Sequence, residues 1–359
     1  MLKVVYAGPL APGGTCEVRY KALKVMAHEV YPFDPMPFFF EKISRWRRAV
    51  ELRVSFGPRS CRVNFAFLRF CRDIRPDVVW VDKGFWAWPS TLQSLRRQGA
   101  FLVHHVTDAL SPLRWDLWWQ NRLLRGTLKS YDMFFTSNLR DSERFSSSSP
   151  PKVELTSLGF DHERFDATPL SPGARNKWES DVIFAGHHEP LTEAGIVSLI
   201  DAGIKVKVYG GGWERSRSLR KFAFSSQIRH LEGEEYICAL KGAKIGLCFV
   251  SEWNFNQTAG RSFEIPACGT FLLAMRTPQH LECYREGEEA EFFGDHQELV
   301  GKVRYYLEND ALRREIAARG HERCLRSGYS WADRMKRDWE KVKAVLAAAG
   351  AISRREDFA

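Results

Sequence analysis

The chain has 359 residues, 44% hydrophobic and 27% charged, with a formal net charge of +9. That length suits two domains, and the composition is ordinary for a soluble globular protein. No apolar run approaches the roughly 18–20 residues that span a bilayer, and the eight cysteines form no CxxC pair. They read as reduced core thiols of a cytosolic protein, with no metal site expected.

In chain order, short apolar runs alternate with helix-length stretches. The start, MLKVVYAGPL, reads as a buried first strand rather than a signal peptide. Further strands are expected at DVVWVDK (77–83), FLVHHV (101–106), MFFTS (133–137), VELTSLG (153–159), DVIFAG (181–186), IKVKVYG (204–210), KIGLCFV (244–250) and TFLLA (270–274). Strands separated by helices predict parallel α/β sheets, which bind ligands at the carboxyl ends of their strands. The pattern restarts near residue 181, after the Pro/Ser/Gly-rich segment ATPLSPGARNKWES (167–180). Two Rossmann-like domains are therefore expected, at 1–168 and 180–330. An amphipathic helix follows at 331–348, with Trp339, Val342, Val345 and Leu346 at helical spacing.

Charge is unevenly spread. Residues 1–150 hold 23 basic against 13 acidic side chains, and 42–75 alone hold 10 against 2, interleaved with Trp46, Phe56, Phe65, Phe67 and Phe70. Three readings are open for that stretch: a solvated helix face, an anionic membrane or acceptor surface, or a nucleic-acid backbone. Nucleic acid has no motif behind it.

Three places carry candidate chemistry. The first strand–helix loop, GPLAPGGTCEVR, has Gly13 and Gly14 where a backbone can approach a ligand, but it is neither GxGxxG nor a P-loop. In DVIFAGHHEP, Gly186 ends a strand and His187 and His188 follow it, as diphosphate donors or as surface-loop histidines. In RSFEIPACG, Glu264 sits between Phe263 and Ile265 near a helix start, with Arg261 three residues earlier. A carboxylate there accepts two ribose hydroxyls, or else pairs with Arg261 as a helix-start acid of little energetic weight.

The stretch GAKIGLCFVSEWNFNQTAGRSFEIPACGTFLLAMRTPQHLECYREGEEAEFF, with VIFAGHHEP, VYGGGWE and the final GYSWADR, resembles the C-terminal domain of GT-B glycosyltransferases. It is most similar to the CgeB-type branch of group 1. The similarity covers about 180–335 and extends more loosely through VDKGFWAWP, HHVTD and SLGFDHERF. The resemblance implies two Rossmann-like domains facing each other across a cleft, with the terminal helix crossing back to the N-terminal domain. It implies an enzyme moving a sugar from a UDP or GDP donor to a glycan, lipid-linked or protein acceptor, without a metal or other cofactor. A sugar-nucleotide epimerase of the same fold and a non-catalytic binding protein are the rival readings.

Carried over by position, Glu264 matches the ribose-binding glutamate and Arg261 a diphosphate contact. Gly186 and His187 match the donor-phosphate loop, while Gly14 and His188 are added to the candidate donor site from the residues alone. Leu231 and Gly233, in HLEGEEY, match the loop that reads the base. His105 and Asp108, in HHVTD, match the catalytic position of the N-terminal domain. Asn256 stands where retaining members with E-x7-E carry a second glutamate, so the stereochemical outcome is left open. The expected location is cytoplasmic, and under the second of its three readings the 42–75 stretch would touch the inner face of the membrane.

Overall fold

A computed structural model describes residues 2–27, 29–40, 50–51, 54–110, 118–146, 151–224 and 227–348. Much of the basic stretch 42–75 therefore lies outside the described residues, at 42–49 and 52–53.

The described residues form two compact units. The first draws on Met1–Ser157, Trp253–Asn256 and Trp331–Ala359, the second on Leu158–Glu252 and Gln257–Ser330. The chain passes to the second unit at Leu158, upstream of the Pro/Ser-rich segment, because Phe160 and Phe165 are buried in the second unit's core. Trp253–Asn256 joins the first unit, where the Arg140 guanidinium lies 3.5 Å from the Phe255 ring centroid.

The first unit holds a six-stranded parallel sheet in the order β2-β1-β3-β4-β5-β6. Its strands are β1 (Lys3–Ala7), β2 (Glu29–Phe33), β3 (Val78–Asp82), β4 (Phe101–Val106), β5 (Met133–Thr136) and β6 (Lys152–Leu155). The second unit holds a five-stranded parallel sheet, β11-β10-β9-β7-β8. Its strands are β7 (Ser180–Ala185), β8 (Val206–Tyr209), β9 (Ala243–Cys248), β10 (Phe271–Met275) and β11 (Glu291–Phe293). The apolar runs of the sequence become the central strands because both faces of a parallel sheet are covered. β3 is buried at all five positions.

The helices that matter below are α1 (Thr15–Met26), α2 (Pro58–Ile74), α3 (Pro190–Asp201), α4 (Gly233–Lys241), α5 (Arg261–Ala267), α6 (Pro278–Cys283), α7 (Asp310–Arg326) and α8 (Trp331–Ala348). α8 is the expected crossing helix. It packs on α1, and Met335, Trp339, Val342 and Leu346 join Val4, Tyr6, Trp80 and Phe135 in one cluster of the first unit's core. Each such side chain contributes about 1.5–3 kcal/mol on burial. All eight cysteines are free thiols; Cys61 is exposed and Cys16, Cys71, Cys248, Cys268 and Cys324 are buried. No described helix is long and apolar enough to cross a membrane.

Candidate nucleotide site of the second unit

At the carboxyl ends of β7 and β8 lies a cavity of about 250 Å³. Two glycine turns form its rear. Gly210 has φ +129°, and a Cβ there would stand 1.9 Å from the Gly186 carbonyl oxygen. The same oxygen accepts a hydrogen bond from the Trp213 indole at 3.1 Å. A side chain at either glycine would close the hollow, so the loops pack backbone to backbone.

Gly186 also makes room for Arg261. A Cβ at 186 would sit 2.8 Å from Nη1 of that guanidinium. Arg261 opens α5, donates to the Phe249 carbonyl at 3.3 Å, and stands 5.1 Å from the Phe184 ring centroid. Its Nε is buried with no hydrogen-bond partner. Among the described residues Arg261 forms no ion pair with a carboxylate. The helix-start pairing with Glu264, one of the two sequence readings, is thus not made.

Glu264 finds its partner elsewhere. The Tyr236 hydroxyl, from the first turn of α4, donates to Glu264 Oε2 at 2.6 Å. Enclosure by protein pushes the Glu264 carboxyl above its ordinary value, against the pull of Tyr236 and Arg261. Burial, and then the neighbouring Glu264 charge, holds the Tyr236 phenol well above its ordinary value, so it stays the proton donor. One carboxylate oxygen is engaged by Tyr236, and both Tyr236 and Glu264 line the cavity.

α5 is held in place from behind. The His280 Nδ1 lies 2.7 Å from the Met275 carbonyl, which only accepts, so Nδ1 carries the proton. Nε2 then accepts from the Ser262 hydroxyl at 2.7 Å, and that oxygen accepts from the Ala259 amide at 2.9 Å. The Tyr284 hydroxyl donates to the Ser262 carbonyl at 2.9 Å. This directed chain ties β10 and α6 to the turn that carries Arg261 and Glu264. Burial pushes His280 down to about 4, so its ring is neutral near pH 7.

The other expected site residues are placed as follows. His187 is exposed and lines the cavity, its ring 6.4 Å from that of His230. His188 turns away: it is buried and lies 2.6 Å from Glu193 of α3. Glu193 also accepts from Ser216 and the Ser218 amide, and these partners overcome burial and hold it down at about 2. His188 thus anchors α3 and does not line the cavity. Leu231 lines it. Gly233 starts α4 with φ +57°. Tyr209, Tyr236 and His230 also line it and were not singled out from sequence. Their signal was their place beside YGGG and within HLEGEEY.

In the first unit, Gly14 precedes α1 in an extended conformation, and the Gly13 amide is satisfied by the Glu17 carboxylate at 2.7 Å. That carboxylate takes a donor a phosphate would need. His105 is fully buried between Trp80 and Phe135, its Nε2 3.6 Å from Asp338 of α8. An enclosed imidazole touches no substrate; here it sets β4 against α8, and the Thr156 hydroxyl, just after β6, donates to the same Asp338 at 2.8 Å. Asp108 is different: its side chain is 62% exposed and 3.8 Å from Lys83.

A larger hollow, about 550 Å³, opens at the amino ends of β9 and β10. Its Lys241, Lys244, Arg313 and Arg314 are each paired, with Asp166, Asp181 and Asp310. These four cations thus already have carboxylate partners. No group of three or more metal-ligating side chains occurs among the described residues.

Residues 190–338 match a family model described as glycosyl transferase-like. No curated protein sequence matches the chain. Among solved structures, a sucrose-phosphate synthase from Thermosynechococcus elongatus is similar at TM-score 0.70 and 13% identity, over 97% of this chain and 100% of that one. HepE from Anabaena, in complex with UDP-glucose, is similar at TM-score 0.62 and 13% identity, over 96% and 100%. A UDP-GlcNAc 2-epimerase from Neisseria meningitidis, bound to UDP-GlcNAc, is similar at TM-score 0.53 and 14% identity, over 96% and 100%. At these identities the likeness establishes the fold, the two parallel-sheet α/β domains of GT-B glycosyltransferases. It does not single out the CgeB-type branch.

Proposed function

We propose that this protein is a glycosyltransferase that moves a sugar from a nucleoside-diphosphate donor to an acceptor hydroxyl. One observation carries the reading: Arg261 and Glu264 stand in one cavity at the carboxyl edge of a parallel sheet without forming an ion pair with each other. A half-buried guanidinium whose Nε has no partner suits a diphosphate, and a carboxylate held by a single phenol suits ribose hydroxyls. UDP is the first nucleotide to test, since the structurally similar HepE and epimerase are described with UDP-sugars.

In the reaction, the acceptor oxygen bonds to the anomeric carbon while the bond from that carbon to the β-phosphate oxygen breaks. The nucleoside diphosphate leaves with the electron pair. Arg261 and His187 offset the charge that develops on it, which is the work a metal does at other sites. Asp108 is the base that takes the acceptor proton, because its carboxylate is open to solvent and lies 3.8 Å from Lys83. His105 and His188 position elements and touch no substrate. The acceptor is of the glycan, lipid-linked or protein class, on the cytoplasmic side.

Calorimetric titration with UDP and GDP, followed by UDP release from UDP-sugars with and without glycan acceptors, tests the reading. Binding of UDP and acceptor-dependent release that persists in EDTA are expected. Asp108→Ala should lower kcat by about 10²–10⁴ with UDP affinity unchanged. Conversion of free UDP-GlcNAc without an acceptor would mark an epimerase instead. UDP binding with no turnover would mark a binding protein.

A further inference from the structure

α2 has two chemically distinct faces. Val63, Phe67 and Cys71 are buried in the first unit's core. The outward face carries Arg62, Phe65, Arg69 and Arg72, at i, i+3, i+7 and i+10, which is one side of a helix. Phe65 is 70% exposed amid these arginines, and Phe56, just before the helix, is 74% exposed. Residues 58–75 hold five arginines against one acid, Asp73.

The second unit provides the contrast. α7 holds five arginines to the four of α2, but its arginines have carboxylates. Arg314 pairs with Asp310 at 2.7 Å, Arg326 with Glu322 at 2.6 Å, Arg319 with Glu315, and Arg323 with Glu289 at 3.8 Å. That is how a solvated helix face neutralises itself. On α2, Arg69 and Arg72 make no ion pair among the described residues.

We propose that the outward face of α2 docks on an anionic lipid bilayer surface. The row from Arg62 to Arg72 is about 15 Å long at the rise of an α-helix, and straight, so it lies along a plane. The guanidinium groups meet lipid phosphates, and Phe65 and Phe56 enter the headgroup boundary, where an aromatic ring is favoured over water. A polyanion without an apolar phase would satisfy the arginines and leave both phenylalanines in water. The inference stands apart from the donor-site reading, and its test uses no turnover.

Co-sedimentation with vesicles of phosphatidylcholine containing about one third phosphatidylglycerol should show binding at low salt. The binding should weaken as salt shortens the Debye length from about 30 Å at 0.01 M to about 8 Å at 0.15 M. Phosphatidylcholine alone should bind at least tenfold less. The double variant Arg69→Glu with Arg72→Glu should lose at least tenfold in vesicle affinity. Phe65→Ser should lose several-fold with its arginines intact. All these positions are exposed, so the melting temperature should stay put and report an intact fold. Vesicle binding that ignores both variants would overturn the proposal. So would equal binding to duplex DNA at matched salt, with Phe65→Ser neutral on both, which would leave a generic polyanion surface.

Discussion

Each unit sets an arginine and a carboxylate near the carboxyl edge of its sheet, and the two units use them in opposite ways. In the first, Asp82 at the end of β3 receives Nε and Nη2 of Arg19 at 2.7 and 2.9 Å, and both side chains are fully buried. Tyr6 adds its hydroxyl to the same carboxylate, and the Trp331 ring covers the guanidinium at 4.6 Å. Burial works against the Asp82 charge, but Arg19 and His105 outweigh it and hold the carboxyl well below its usual range. In the second unit, Arg261 and Glu264 remain separate, one against a carbonyl and a ring, the other against a phenol. A bidentate ion pair is structure even with Arg19 Nη1 left unpartnered, whereas two separated charges that line a cavity suit the proposed ligand. The presence of the residues does not tell these cases apart; the pairing does.

The largest expected effect comes from breaking the Arg19–Asp82 pair. Asp82→Ala strands a buried guanidinium and should cost about 3–5 kcal/mol in denaturant unfolding. UDP affinity of the protein that remains folded should hold. An unchanged unfolding midpoint would mean that Arg19 finds other company and that the contrast between the units is false.

Glu264→Ala should do the reverse. Titration calorimetry should show a loss of about 1.5–3 kcal/mol of UDP binding, with little change in the unfolding midpoint. Glu264→Gln keeps the shape and loses the charge, so it separates geometry from electrostatics. If Glu264→Ala lowers the midpoint as much as Asp82→Ala does, Glu264 is a structural group.

A pH series sharpens the comparison through one histidine per unit. Burial holds His104 at about 3 and His280 at about 4, below the 6.5 of an unfolded chain. Below 6.5 the unfolded state binds protons that the folded state refuses. The stability these neutral rings provide is therefore complete above pH 6.5 and lost as pH falls toward 4 for His280 and toward 3 for His104. Each ring costs about 1.4 kcal/mol per pH unit over that window. His104 has no hydrogen-bond partner among the described residues, so His104→Leu should flatten its share of the slope. A slope that His104→Leu leaves unchanged would place the acid sensitivity elsewhere.

The smallest effect concerns the support behind the open site. His280→Gln sets an acceptor near the Nε2 position and can keep the Ser262 bond, whereas His280→Asn keeps only the Met275 bond. UDP affinity should fall by about 0.5–1.5 kcal/mol more in the Asn variant, one hydrogen bond's worth. Equal affinity in both would show that α5 holds its place without His280.

The central strands were legible because burial on both faces writes an unbroken apolar run. Two edge strands were not. β2 reads EVYPF, with an exposed Pro32 that an edge tolerates, and β11 is three residues long and carries Glu291, which Lys302 and Tyr306 satisfy. The same two-sided burial explains His105: in a covered parallel strand, neither parity points to solvent. Glu264 was legible as an anomaly, but not its partner, since Tyr236 lies 28 residues upstream on another helix. Local spacing favoured Arg261, three residues away, and rotamers chose otherwise. His188 went to Glu193 for a related reason, because a neighbouring helix offered a carboxylate that the sequence alone does not aim.

α8 makes the first unit discontinuous, and this sets an order of events during synthesis. The ribosome completes the six strands of the first sheet by residue 155, yet Met335, Trp339, Val342 and Leu346 arrive only after the whole second unit. Until then Val4, Tyr6, Trp80 and Phe135 lack part of their cover. The usual rule that amino-terminal domains finish folding first is inverted: the second unit can close while the first waits. A nascent chain stalled at residue 330 is thus a natural client for chaperones, with its exposed apolar surface on the older half.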